Sequence, residues 1–183
     1  MSALATPPTQ VRAECVALLG DCLGLESPQN GHYARHQKGN ATMLLHCDLV
    51  YVASDAQLIL PFVNLGLVPE AGSAWLLPQR IGHVRAFALI ALGERLSGVA
   101  AVSLGLANAA LPVMDLVPAA MAAARTLADK SPSALSATKR LMRDAGAIET
   151  AIAADREALL IQLAKPEAAA AFAAFVTRKN ASA

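Results

Sequence analysis

Charge is scarce in this chain: 15 basic and 14 acidic residues make up 16% of its 183 positions, against about 25% in typical globular proteins. With a net charge of +1 there is no basic excess to follow a phosphate backbone, which argues against nucleic acid as a partner. Cysteine is sparse too. Cys15, Cys22 and Cys47 are an odd number without framework spacing, the usage expected in a reducing cytoplasm. Long apolar runs are also lacking. The longest uncharged stretch, Gly98 to Met114, is interrupted by Gly105, Asn108 and Pro112 and falls short of the roughly 20 strongly apolar residues of a membrane span. At the N-terminus, MSALATPPTQVRAE has no basic stretch followed by an apolar one, so it does not read as a secretory signal.

What the chain does have is apolar surface. Hydrophobic residues are 55% of the total, in a length suited to one domain with a sizeable core. So little charge predicts that much of the surface is covered, by oligomerisation or by a further part of the fold.

Residues 1–38 form a segment of their own. Thr9 can cap a helix whose face carries Val11, Cys15, Leu18, Leu19 and Cys22, and a polar loop follows from residue 26. His32 and His36 stand at metal-ligand spacing, but Cys15 and Cys22 are too far apart for a zinc knuckle, and no metal site is expected. Asn40 can cap a short helix over Ala41 to His46. Cys47 to Ser54 then reads as a buried strand, and residues 57–60 as a second, short one. Helices follow over Ser73 to Leu77 and Val84 to Leu92, packed by Trp75, Leu77, Phe87 and Ile90. Gly93 ends the second, and Ser97 caps a helix to about Leu104. Residues 106–112 form a weak strand. Helices at about 115–129, 133–145, 147–164 and 166–179 complete the chain, with breaks at Ser131–Pro132, Gly146 and Pro166. The class is α/β leading into an all-helical tail.

The stretch AQLILPFVNLGLVPEAGSAW, residues 57–76, organises the rest. It sets a lone acid, Glu70, between apolar runs in a turn shaped by Gly66, Pro69 and Gly72. Such a group is either the solvated tip of a surface turn or a candidate for proton transfer.

From residue 39 to about 180 the sequence resembles the enoyl-CoA hydratase/isomerase (crotonase) superfamily. The resemblance is carried by CDLVYVASDAQLILPFVNLGLVPEAGSAWLLPQRIG, by GERLSGVAAVSLGLANAALP, and by the tail from SPSALSATKRLM to AAFAAFVTRKN. It implies the C-terminal part of a crotonase-like ββα spiral over 39–112, followed by a helical oligomerisation region over 113–183. Nothing in residues 1–38 resembles the first half of that spiral, which would supply one of two backbone donors for the thioester oxygen. The substrate implied is an acyl-CoA thioester, with no other cofactor, and the assembly implied is a trimer or a dimer of trimers.

The resemblance places the other oxyanion donor at Gly39, before the 41–46 helix. Hydratases of the family use two glutamates, and this chain has Thr42 and Phe62 at the matching positions. Neither side chain is an acid or base near neutral pH. Isomerases that move a 3-enoyl double bond place one glutamate in a following Pro-Glu pair, matched by Pro69-Glu70. One carboxylate can take a proton from C2 and return it at C4, and the apolar neighbours Phe62, Val63, Leu65 and Leu67 would keep it a usable shuttle. Phe62 and Leu65 would border the substrate, while Phe175 and Arg178 match positions that contact the adenine and phosphates of CoA. Lys139, Arg140 and Arg143 read as a solvated helix face without a role. The expectation is an enoyl-CoA isomerase. The alternatives are a hydratase using other groups, or an inactive member that keeps only its oligomerisation surface.

Overall fold

Two short parallel strands and a shell of helices hold the core. The computed structural model describes residues 41–180. Its first element, α1 (Ala41–Leu44), is a single helical turn. Strand β1 (Tyr51–Ala53) then runs parallel to β4 (Ala109–Leu111), with Tyr51 opposite Ala109 and Ala53 opposite Leu111. Between them, β2 (Gln57–Leu58) pairs antiparallel with β3 (Leu96–Ser97). The crossover contains a 3-10 turn (Val63–Leu65), α2 (Ser73–Ile81), α3 (His83–Phe87) running into a π-helical stretch (Ala88–Leu92), and α4 (Gly98–Ser103). Four helices follow: α5 (Val113–Ala128), α6 (Pro132–Met142), α7 (Ala145–Leu163) and α8 (Pro166–Asn180).

Local chemistry explains most boundaries. The Ser97 hydroxyl accepts the Ala100 N–H at 3.1 Å and caps α4. Ser131 accepts the Ala134 N–H and caps α6, and Gly93 closes the π-helical stretch in the left-handed conformation. The Ser97 cap and the Gly93 stop are those that the sequence predicts, and Ser131 falls at a predicted break. Leu45, Leu77 and Ala101 form the most deeply buried part of the core, each 1% exposed or less.

Several expectations change. The strand expected over Cys47–Ser54 contracts to three residues. Val50 donates to Asn108 Oδ1 and accepts from the Asn108 N–H, both at 2.7 Å, so side-chain pairing ends the ladder there. The apolar run after Pro61 coils into the 3-10 turn. Trp75 and Phe87 are 38% and 60% exposed, so they face outward; the buried faces of their helices carry Leu76, Leu77, Ile81 and Ala86 instead. The break placed at Gly146 falls at Arg143–Asp144, because the Asp144 carboxylate accepts the Ala147 N–H at 2.9 Å and starts α7 there. No single described helix is long and apolar enough to cross a membrane, although α7 with the first part of α8 would pass as a bent pair.

The tail folds back over the middle of the chain. Gly66 has φ +69°, and a Cβ there would lie 3.0 Å from the Ala168 Cα. Only glycine lets α8 rest directly on the 3-10 turn. Ala168 is accordingly 1% exposed.

Candidate active site

Glu70 stands at the end of an extended segment, where the chain turns sharply into α2. Ala71 and Gly72 both adopt left-handed backbone, φ 56° and 72°. Ala71 is the sole non-glycine residue with positive φ among those described, a conformation costing roughly 1–2 kcal/mol for a residue with a Cβ. Something must hold it. The Glu70 carbonyl accepts the Ser73 hydroxyl at 2.6 Å and the Ser73 N–H at 3.0 Å. From the other side, His46 Nε2 donates to the Ala71 carbonyl at 2.7 Å.

The donor role of His46 follows from its second neighbour. Arg143 Nη2 lies 3.3 Å from His46 Nδ1, and a guanidinium can only donate, so Nδ1 accepts and the proton sits on Nε2. Arg143 also donates to the carbonyls of His46 at 2.8 Å and Leu45 at 3.4 Å. Arg80 reaches the carbonyls of Leu45 and Cys47 at 3.0 and 3.3 Å. Burial, and then the neighbouring Arg143 charge, lower its pKa from the usual arginine value, while Asp48 opposes them. Two guanidiniums thus satisfy the carbonyls where α1 ends.

Arg143 therefore is not a solvated bystander, as the sequence reading had it. Its side chain is 22% exposed, and Lys139 beside it pairs with Asp48. Both members of that pair are more than half exposed, so it adds little. Arg143→Met is expected to lower stability by about 2 kcal/mol through its carbonyl bonds. The melting temperature should fall by roughly 4–8 °C, and a melt followed by circular dichroism checks it.

The other candidates lie around this turn to different degrees. Phe62 and Leu65 are half-buried on the 3-10 turn that leads to Glu70, itself half-buried. Thr42 is 1% exposed. Phe175 lies on α8 and is 44% exposed. Gly39 lies outside the described residues, as does the side chain of Arg178. One cavity lies elsewhere: about 20 Å3, lined by Ala41, Leu44, Leu60, Leu77, Glu94 and neighbouring apolar groups. It has room for about one water, and Glu70 does not line it. Among the described residues there is no cluster of His, Cys, Asp and Glu that could hold a metal ion.

A family model for enoyl-CoA hydratase/isomerase matches residues 36–181. The chain belongs to this family. It is 34% identical over 105 residues to the 1,2-epoxyphenylacetyl-CoA isomerase of Escherichia coli, covering 57% of this chain and 40% of that one. It is 28% identical over 105 residues to the carnitinyl-CoA dehydratase of Proteus mirabilis, with the same coverage of both chains. The solved enoyl-CoA hydratase/isomerase of Pseudoalteromonas atlantica superposes with a TM-score of 0.72 at 34% identity, over 75% of this chain and 56% of that one. The fold is thus a partial crotonase-like fold followed by C-terminal helices. The chain spans about half the length of the relatives it matches. Their names cover an isomerase and a dehydratase, so membership of the family leaves the reaction open.

Proposed function

We propose that this chain is the part of an acyl-CoA enzyme that carries the proton-transferring carboxylate, and that the reaction is the shift of a 3-enoyl-CoA double bond to the 2-enoyl position. The observation that carries this reading is the placement of Glu70. It lies in a strained turn held on both flanks, while the two positions that the resemblance matches to a hydratase's glutamates are occupied by a buried threonine, Thr42, and by Phe62. Removing a proton from C2 sends charge onto the thioester oxygen, which backbone donors such as the amide of Gly39 would hold. The same carboxylate, now protonated, returns the proton at C4. The half-buried Phe62 and Leu65 would border the acyl chain, and Phe175 with Arg178 the nucleotide end of CoA. The test is formation of 2-enoyl-CoA from 3-enoyl-CoA by the chain and by Glu70→Gln. Equal rates for the two would remove Glu70 from the mechanism.

A second reading is favoured by the exposed apolar residues of the C-terminal helices. Under it, the chain keeps the family's assembly surface without turnover. Either reading makes the chain a homo-oligomer. Met114, Leu141 and Met142 are 87%, 89% and 82% exposed on helices α5 and α6, and apolar groups left in water favour association. Light scattering is expected to give a mass near three times that of one chain. A well-behaved monomer would count against it.

A further inference from the structure

The peptides on either side of Ala71 are each held by a side chain. The Ser73 hydroxyl donates to the Glu70 carbonyl at 2.6 Å, and His46 Nε2 to the Ala71 carbonyl at 2.7 Å. The first hold is local. The second comes from just past α1, 25 residues upstream, and it is braced in turn from the helical tail. Arg143 sits between the end of α6 and Asp144, which caps α7. Its Nη2 lies 3.3 Å from His46 Nδ1, while its Nη1 donates at 2.8 Å to the carbonyl of the same histidine.

Of the three forms open to an imidazole, only one satisfies both neighbours. A carbonyl oxygen only accepts, so Nε2 must carry a proton, and a guanidinium only donates, so Nδ1 must not. The Nδ1–H tautomer fits neither neighbour, and the imidazolium would set a proton and a like charge against Arg143. We propose that His46, locked by Arg143 as the neutral Nε2–H tautomer, is a positioning residue for Glu70 and ties the junction of α6 and α7 to the turn that bears it. The proposal rests on the reading of Glu70 as the proton-transfer group.

The strain in the turn is what makes such a hold necessary. Ala71 has φ 56°, where a Cβ crowds the neighbouring carbonyl, so the residue would leave this conformation if its flanking peptides could rotate. Each is blocked, one by Ser73 and one by His46. Glycine at 71, as at 72, would adopt the shape unaided but would also leave it freely. An alanine held from outside is the more rigid arrangement. Releasing His46 would free the peptide after Ala71, and Glu70 would shift relative to α2 and to the 3-10 turn that carries Phe62 and Leu65.

The experiment reads the ring nitrogens of His46 by long-range proton–nitrogen NMR at neutral pH, in the wild-type chain and in Arg143→Met. It then compares Arg143→Met, His46→Leu and His46→Gln in the kinetics of 2-enoyl-CoA formation, alone and in a Glu70→Gln background. The wild-type spectrum is expected to show a proton on Nε2 alone, and Arg143→Met a mixture of tautomers. His46→Leu cannot donate, and its kcat should fall by about ten- to a hundredfold, the range for a misplaced catalytic group, with KM little changed. Glutamine has an N–H that can reach the same carbonyl, so His46→Gln should recover most of kcat. Arg143→Met should show a smaller loss of the same kind, which keeps the kinetic test open if His46→Leu does not fold. None of these losses should add to that of Glu70→Gln. A wild-type proton on Nδ1, a spectrum unaltered in Arg143→Met, or kcat unchanged in both Arg143→Met and His46→Leu would overturn the proposal. Equal losses in His46→Leu and His46→Gln, or in both backgrounds, would do the same. If Glu70→Gln keeps the wild-type rate while the spectra are as expected, the lock on His46 stands and the proton-transfer reading is what fails.

Discussion

Glu70→Gln is expected to abolish most of the double-bond shift, lowering kcat by roughly a hundredfold to ten-thousandfold, the span attributed to a positioned acid–base group. Glutamine keeps the size of the side chain and the backbone bonds from Ser73 to the carbonyl of residue 70. It cannot exchange a proton near neutral pH. The loss should therefore fall on kcat, with KM changed little, because the substitution leaves the apolar residues beside it, Phe62 and Leu65, in place. Single-turnover kinetics with 3-enoyl-CoA separates the two. A rate loss confined to KM would mean that Glu70 binds substrate and does not shuttle protons. The melting temperature of the variant should match the wild type, since the clamp on the turn uses backbone groups at residues 70 and 71.

Gly98→Ala has the largest expected effect on stability. Gly98 begins α4 where its N–H donates to the Ala56 carbonyl at 3.0 Å. A Cβ there would sit 2.0 Å from the Ala53 carbonyl oxygen and 3.3 Å from Val52 Cγ2. The clash is with backbone that already belongs to the β1–β4 ladder, where it cannot retreat without breaking the parallel pairing. Overpacking typically costs about 1–3 kcal/mol, and a rigid oxygen at that distance should place this variant at or above the upper end. The expectation is a melting temperature lower by roughly 6–12 °C, or a chain that does not fold. A melt of Gly98→Ala within a few degrees of wild type would show that α4 can shift off the strands.

Much was legible from local chemistry. The cap at Ser97, the break at Ser131–Pro132, the stop at Gly93 and the start at Pro166 each depend on a few neighbouring residues, so they could be read directly. The strand at Cys47–Ser54 was too long on paper because nothing nearby reveals that Asn108, far along the chain, pairs with Val50. The outward turn of Trp75 and Phe87 was missed for a related reason: large apolar residues suggest a core, but which face of a helix is covered depends on what packs there.

By itself the sequence determined the family, the alternation of short strands with helices, and the position of a lone carboxylate after Pro69. These follow from residue identity and spacing. The tertiary structure alone decided what holds that carboxylate's turn, because His46 comes to Ala71 from 25 residues away, and Arg143, which fixes that histidine, lies 97 residues from it along the chain. His46 and Arg143 carry no local signal for it. An arginine near the end of a helix is an ordinary surface residue until packing removes water from it, and only then does its charge have a single set of backbone carbonyls left to face.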